Sequence, residues 1–266
     1  MSISERFAIT EKGSGTTPMI FIHGYGCDQN MWRLVTPHFE PNFRVILYDQ
    51  IGAGNSDASA FVKSKYASLQ GYADDLISIC DALNLSGITV VGHSVSGMIS
   101  LLAAKKRPEL FEHLIMVGPS PCYLDDGAYQ GGFTRESLEE LLEFLEINHR
   151  GWSAQMAPVI MGNPDRPELA LELESSFCRT DPEIAHHFAR TTFLSDHRSD
   201  LDGVATPTLI LQCDEDAIAP LTVGEYMQAT MPNAQLALIH SEGHCPHISA
   251  PDLVAETIRN YLRAEP

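Results

Sequence analysis

The 266-residue sequence predicts an α/β fold: a mostly parallel sheet with helices on both faces and a helical cap inserted into the chain. Short apolar runs rich in Val and Ile alternate with longer helical patterns, as expected when strands are buried on both faces. The strand signals then vanish between about residues 119 and 200, where helical patterns alone remain. We therefore expect a core formed by residues 1–118 and 201–266, interrupted by a four-helix cap at 119–200.

The core elements follow one another in alternation. Apolar runs bounded by turn residues predict strands at 19–23, 44–49, 88–92, 113–117, 207–212 and 235–240. Helical patterns predict helices at 30–39, 69–83, 97–106, 221–231 and 251–263. Because strands that alternate with helices form right-handed crossovers, this order implies a parallel sheet covered on both sides.

The cap segment contains four helical stretches, at 134–148, 152–161, 166–179 and 182–194. Gly151, Gly162-Asn163-Pro164 and Thr180-Asp181-Pro182 supply the breaks between them. Asp181 fits a helix N-cap because Pro182 follows it at the first helical position, where a missing N–H costs nothing.

Composition and charge exclude several classes of function. The net charge of −18 disfavours nucleic acid and anionic membranes as partners, because both require a basic surface. The first residues do not resemble a signal peptide, and no apolar run is long enough to cross a bilayer, so we expect a cytoplasmic chain. The six cysteines form no CxxC pair and are expected to be reduced thiols.

A predicted strand leads into a predicted helix through small residues at Gly92-His93-Ser94-Val95-Ser96. This is the context of a nucleophile elbow, a turn so tight that the residues flanking the serine must be small. Ser94 is therefore the candidate nucleophile. Ser96 stands where the usual G-x-S-x-G pattern has its last glycine, and crowding by its Cβ would displace Ser94 and slow the reaction.

A serine nucleophile needs a base and a carboxylate that orients the base, and this fold supplies them in the chain order Ser, Asp, His. Asp216 follows the predicted strand at 207–212, at the edge of the sheet where parallel strands build active sites. Asp214 and Glu215 are alternatives. We favour Asp216 because it lies directly before Ala-Ile-Ala-Pro.

The candidate base is His244, which follows the last predicted strand and a glycine that permits the chain to turn back over the sheet. His247 is the alternative. Cys245 and the two histidines also suggest metal ligands, but a metal site needs three or four converging ligands and no other segment is expected to supply them. We therefore expect no metal.

An oxyanion formed at Ser94 requires backbone N–H donors, which the residue after the nucleophile and an early strand-ending loop usually provide. Val95 and Tyr25 occupy these positions, and the glycines beside Tyr25 let the backbone approach a substrate. The run Gly52-Ala53-Gly54 lacks the third glycine of a dinucleotide-binding loop, so we expect no cofactor.

Several motifs resemble the α/β-hydrolases, and most closely the family that includes the bacterial stress regulator RsbQ and the plant strigolactone and karrikin receptors. They are 23–29 (HGYGCDQ), 49–57 (DQIGAGNSD), 117–124 (VGPSPCYL), 177–182 (FCRTDP) and 195–198 (SDHR). The resemblance implies a four-helix cap over a deep hydrophobic pocket, with Ser94, Asp216 and His244 as the catalytic triad. Tyr25 stands where these relatives usually have phenylalanine, which adds a hydroxyl near the pocket. Ser94 excludes the haloalkane dehalogenase and epoxide hydrolase branches, which need an aspartate nucleophile.

Together these observations predict a carboxylesterase-type serine hydrolase that cleaves a small, largely apolar ester or lactone through an acyl-enzyme. Apolar cap residues are expected to line the substrate pocket: Phe133, Leu142, Trp152, Met156, Phe188 and Phe193. The alternative is a small-molecule sensor or signalling regulator on a hydrolase scaffold, with a regulatory protein as its partner.

Overall fold

The computed structural model describes residues 1–264, which contain one seven-stranded sheet. The strands are β1 (Thr10–Lys12), β2 (Thr17–Ile22), β3 (Phe43–Tyr48), β4 (Ile88–His93), β5 (Phe111–Val117), β6 (Thr208–Glu215) and β7 (Ala234–Glu242). Their spatial order is β1-β3-β2-β4-β5-β6-β7. Only β1 runs antiparallel to its neighbour, so the predicted mostly parallel sheet is confirmed.

The direction of winding reverses at β2, which lies between β3 and β4. The chain moves outward from β2 to β3 and then returns to the other side of β2 to form β4. Ligands bind outside the carboxyl ends of strands at such a switch point, because the loops there diverge and leave a crevice. The loop after β2 and the turn after β4 are therefore well placed to form a site.

Helices cover both faces of the sheet. They are α1 (Ile3–Arg6), α2 (Gln70–Ala82), α3 (Val95–Lys106), α8 (Leu221–Thr230), α9 (Pro246–Ser249) and α10 (Pro251–Ala264). Side chains of α2, α3 and α8 share one apolar cluster with the sheet, and those of α10 share the cluster on its other face. No helix in residues 1–264 is long and apolar enough to cross a bilayer.

Four helices lie between β5 and β6: α4 (Arg135–Ile147), α5 (His149–Met161), α6 (Pro167–Phe177) and α7 (Pro182–Phe193). Their apolar faces form a third cluster, in which Leu142 and Trp152 are almost fully buried. The side chain of Asp181 accepts hydrogen bonds from the N–H groups of Glu183 and Ile184, which confirms the predicted N-cap. The division of the chain into a core and a cap at 119–200 stays a prediction.

The helix predicted at 30–39 was wrong. Two short 3-10 helices, Gln29–Trp32 and Thr36–His38, occupy this segment. Pro37 explains the break, because proline has no N–H to donate and disfavours the helical conformation of the residue before it. The apolar residues that suggested a helix instead pack under the sheet, where Trp32 and Phe39 are fully buried.

Candidate active site

Ser94 lies in the turn between β4 and α3 with φ of 56° and ψ of −123°. A non-glycine residue rarely adopts positive φ, and such strain concentrates at functional sites. The tightness of the turn also explains Gly92, because a Cβ at that position would lie 2.5 Å from the carbonyl oxygen of Ser96. The sequence therefore folds into the elbow expected from its small residues, and the Ser94 side chain stands above the sheet edge.

Ser94, His244 and Asp216 form one chain of hydrogen bonds. The hydroxyl oxygen of Ser94 lies 2.7 Å from Nε2 of His244, and Nδ1 of His244 lies 2.7 Å from Oδ2 of Asp216. Because a carboxylate accepts only, Nδ1 carries the hydrogen and Nε2 can accept the proton of Ser94. The structure thus brings together the three residues predicted from three separate segments.

The rival residues do not join this chain of hydrogen bonds within residues 1–264. Asp214 pairs with the exposed ring of His240 at the surface, and Glu215 is exposed. His247 is fully buried, but its ring makes no hydrogen bond within residues 1–264. Among these candidates, only Asp216 and His244 are joined to Ser94 by hydrogen bonds.

Backbone contacts hold the acid and the base in place. Oδ1 of Asp216 accepts from the N–H groups of Ile218 and Ala219, at 2.8 and 3.0 Å, which leaves Oδ2 for the imidazole. The N–H of His244 donates to the carbonyl of Ile160, at the end of α5, over 2.7 Å. This bond connects the position of the candidate base directly to the helices between β5 and β6.

The two predicted oxyanion donors lie on either side of the switch point. Val95 is the first residue of α3, and Tyr25 lies in the loop that follows β2. Neither N–H donates to a protein acceptor within residues 1–264, so both are available to a ligand. The amino end of α3 also favours negative charge through its dipole.

Ser96 joins the elbow to the loop that carries Tyr25. Its hydroxyl donates to the carbonyl of His23 over 2.6 Å, and Nε2 of Gln50 donates to the same carbonyl over 2.7 Å. The ring of His23 accepts from the N–H of Gln50 through Nε2, so its Nδ1 donates to the carbonyl of Gly24. All of these groups are buried. Ser96 is therefore a structural link and not only a substitute for glycine.

A small cavity of about 30 Å³ lies beside Ser94 and His244. This volume holds about two water molecules, so a substrate can enter only if side chains around the cavity move. The apolar residues that line it are Ile160, Leu173, Phe177, Phe193 and Ile218.

Of the six predicted pocket residues, Phe193 lines this cavity. Leu142 and Trp152 are buried in the third apolar cluster, formed by α4 to α7, and Phe133 and Met156 lie at its edge. Phe188 instead packs in the cluster that α2, α3 and α8 share with the sheet. These five residues lie outside the cavity lining. The prediction failed for them because helical spacing identifies the apolar face of a helix but not the element against which that face packs. Trp152 and Phe188 still contact the Tyr25 ring, with centroids 6.1 and 5.8 Å away.

Tyr123 is a residue of this site that the sequence did not single out, although it lies in the motif at 117–124. Its buried hydroxyl faces Ser94 without forming a well-aligned hydrogen bond in the described part of the chain. Burial raises the pKa of Tyr123 to about 12 and its proximity to Ser94 opposes this shift, so the phenol stays protonated and can donate.

The premise for excluding a metal was also wrong. His93, the last residue of β4, lies beside Cys245 and His247 at the start of α9, and one donor atom from each of the three falls within 4.8 Å of the others. A third donor therefore does converge on the pair. No pattern in the sequence indicated this approach, because more than half of the chain separates His93 from Cys245.

Comparison with known proteins supports the assignment of the fold. A family model described as "Alpha/beta hydrolase family" matches residues 19–257. A strigolactone esterase from Arabidopsis thaliana is 36% identical over 98% of both chains. Karrikin insensitive 2 receptor CA from Petunia hybrida is 34% identical over 98% of this chain and 97% of that protein. These relatives confirm the resemblance inferred from the motifs.

Solved structures agree. A hydrolase from Oleispira antarctica has a TM-score of 0.97 and is 40% identical, over 99% of this chain and 97% of that one. An esterase from Exiguobacterium antarcticum has a TM-score of 0.87 at 20% identity over 96% and 95% of the two chains, and so shares the fold. The chain belongs to the alpha/beta hydrolase family.

Proposed function

We propose that this protein is a carboxylic ester hydrolase that cleaves small, largely apolar esters or lactones through an acyl-enzyme on Ser94. The observation that carries the proposal is the buried hydrogen-bonded chain from Ser94 through His244 to Asp216, with both distances at 2.7 Å. A serine hydroxyl is inert without a base, and this arrangement supplies the base in the tautomer that can accept its proton.

In the acylation step, Nε2 of His244 removes the proton of Ser94 as the serine oxygen attacks the carbonyl carbon of the ester. Asp216 keeps the hydrogen on Nδ1 and stabilises the imidazolium that forms. The carbonyl oxygen becomes an oxyanion that accepts hydrogen bonds from the N–H groups of Tyr25 and Val95. His244 then donates its proton to the departing alcohol oxygen, and the acyl group remains on Ser94.

Deacylation repeats these steps with water as the nucleophile. His244 accepts a proton from water, the resulting hydroxide attacks the acyl carbonyl, and the serine oxygen leaves with the proton returned by His244. The products are a carboxylic acid and free enzyme. Each group needed for the second half-reaction is the group used in the first, so nothing in the geometry stops the cycle after one turnover.

The cavity supports the substrate class. Most of the side chains that line the cavity beside Ser94 are apolar, and its volume is only about 30 Å³, so a compact apolar acyl group fits with the least rearrangement. The esterase named among the relatives supports ester chemistry. A long acyl chain would require the aromatic side chains above Ser94 to separate further.

The test is hydrolysis of activated esters of graded acyl length by the wild-type protein, Ser94→Ala and a control, Ser78→Ala. Ser78 lies on the exposed face of α2, and within residues 1–264 its hydroxyl donates to the carbonyl of Asp74 in the same helix, so its replacement should leave the rate unchanged. We expect Ser94→Ala to stay folded and lose about a thousandfold or more in kcat. Near-normal turnover in a folded Ser94→Ala variant would overturn the proposal. Activity lost in His247→Ala but kept in His244→Ala would reassign the base.

A second candidate function is small-molecule sensing on the same scaffold. It is favoured by the relatives named as receptors and by a cavity that has to change shape to admit a ligand. The two functions separate in a progress curve at known enzyme concentration. Many products per chain support hydrolysis, whereas one product per chain followed by arrest would support sensing.

A further inference from the structure

His93, Cys245 and His247 form a buried cluster beside the candidate catalytic pair, and two of them, His93 and Cys245, also line the cavity next to Ser94. Their relative exposures are 3%, 1% and 0%, and one donor atom from each lies within 4.8 Å of the others. His93 immediately precedes Ser94 and Cys245 immediately follows His244. None of the three takes part in the proposed hydrolysis, so the cluster calls for a separate explanation.

Three ring nitrogens of this cluster are buried without a hydrogen-bond partner in residues 1–264: Nδ1 of His93 and both nitrogens of His247. Buried polar atoms are rarely left unpaired, because each one loses its hydration without compensation. Three such atoms in the two rings that flank Cys245 indicate that an additional group can pair with this cluster.

The hydrogen bond of His93 fixes which of its nitrogens is free. Nε2 lies 2.8 Å from the carbonyl oxygen of His244, and a carbonyl only accepts, so Nε2 carries the hydrogen. The lone pair is therefore on Nδ1. Histidine ligands of metals commonly donate their other N–H to a backbone carbonyl, which fixes the ring and its tautomer. His93 already has this arrangement.

The cluster is also chemically suited to a cation. Two imidazoles and one thiol are the mixed nitrogen and sulfur donors that borderline and soft metals such as Zn²⁺ prefer. A tetrahedral zinc site holds such donor atoms roughly 3.3–3.8 Å apart. The donor atoms of the three side chains now lie within 4.8 Å of one another, so each pair must approach by no more than about 1.5 Å.

We infer that His93, Cys245 and His247 form a binding site for one Zn²⁺ ion, with a fourth position left to water. On binding, the thiol of Cys245 loses its proton to solvent and a zinc–thiolate bond forms, while each imidazole donates a lone pair. Because Ser94 and His244 are the chain neighbours of two ligands, drawing the ligands together shifts the catalytic pair. Occupancy should therefore slow hydrolysis, a consequence that rests on the proposed function, whereas the binding itself does not.

The test is a titration of the full-length, chelator-treated and reduced protein with Zn²⁺, followed by isothermal calorimetry and by analysis of the metal retained after dialysis. We expect one ion per chain. His247→Ala and Cys245→Ser should each weaken binding by at least about 10–100-fold. Two controls keep wild-type affinity: Cys178→Ser, which removes an exposed thiol, and Ser94→Ala, which removes the nucleophile and leaves the three ligands intact.

Thermal unfolding without metal checks that each variant is folded. Zn²⁺ should then raise the unfolding temperature of the wild type and of Cys178→Ser, which keep all three ligands, but not that of His247→Ala or Cys245→Ser. Co²⁺ gives a second readout, because its bond to the Cys245 thiolate produces a charge-transfer absorption that Cys245→Ser must lack. Absence of binding, equal affinity in His247→Ala and wild type, or loss of binding in Cys178→Ser would each overturn the inference. Zinc binding to Ser94→Ala separates a failure of this site from a failure of the esterase proposal.

Discussion

Replacement of Ser96 by alanine tests whether the elbow and the oxyanion loop act as one unit. The Ser96 hydroxyl donates to the carbonyl of His23 over 2.6 Å, two residues before the candidate donor Tyr25. Ser96→Ala removes this bond, but the His23 carbonyl keeps its bond from Gln50 at 2.7 Å and is not left unpaired. Ser96→Ala also removes the 3.2 Å hydrogen bond that Nε2 of Gln50 donates to the Ser96 hydroxyl. The net loss is therefore two buried hydrogen bonds, about 2 kcal/mol.

If the hydrogen bond from Ser96 to His23 holds the Tyr25 N–H against the oxyanion, its removal costs about 1 kcal/mol of transition-state stabilisation. This corresponds to a fall of roughly fivefold in kcat. KM should change little, because the oxyanion forms only after binding. Steady-state kinetics on an activated butyrate ester measures both constants, and thermal unfolding measures stability.

Ser100→Ala is the matched control. Ser100 is buried one turn further along α3, and its hydroxyl donates to the carbonyl of Ser96 over 2.7 Å without touching His23. Ser96→Ala, which loses two hydrogen bonds, should lose about 2 kcal/mol of stability, and Ser100→Ala, which loses one, about 1 kcal/mol. Only Ser96→Ala should lower kcat. Equal kcat for the two variants would refute the coupling. Faster turnover in Ser96→Gly would show that the serine crowds the turn, the expectation raised by the missing glycine.

Two further predictions concern the cavity and the buried histidines. Phe177→Leu should raise kcat/KM for hexanoate esters relative to acetate esters by roughly tenfold, because the Phe177 ring fills space beside Ser94. The control is Leu171→Ala, which changes an exposed residue of the same helix and should leave this ratio unchanged. Burial lowers the pKa of His247 from 6.5 to about 3. Below pH 6.5 the unfolded chain therefore binds more protons than the folded chain, and the free energy of unfolding decreases as the pH is lowered. With a chelator present, denaturant titrations should show the wild type losing about 2 kcal/mol more than His247→Phe between pH 7 and pH 5. Parallel pH curves for the two proteins, or an unchanged acyl preference in Phe177→Leu, would contradict these expectations.

The parts of the fold that could be predicted are those with a local pattern. The six predicted strands are present with ends within three residues of those expected, because each is a buried apolar run. Strand β1 was missed because it is three residues long, partly exposed and without an apolar run. The helix α9 was missed for a similar reason, as its four residues lie within the loop motif around His244.

The candidate site divides in the same way. Ser94, Asp216 and His244 each follow a strand in a recognisable turn, and the parallel sheet brings such turns to one edge. The cavity lining depends instead on how α5, α6 and α7 pack over that edge, which helical spacing does not reveal. The approach of His93 to Cys245 and His247 depends on the same tertiary packing and had no signature in the sequence.

The most direct test of the account is to find the acyl-enzyme. The protein is mixed with an activated butyrate ester, quenched with acid during turnover and digested, and its peptides are analysed by mass spectrometry. We expect a butyryl group on Ser94 that is present during turnover and disappears once the ester is consumed, after many products per chain. A label on another residue, hydrolysis without any label, or a label on Ser94 that persists after one product per chain would contradict it.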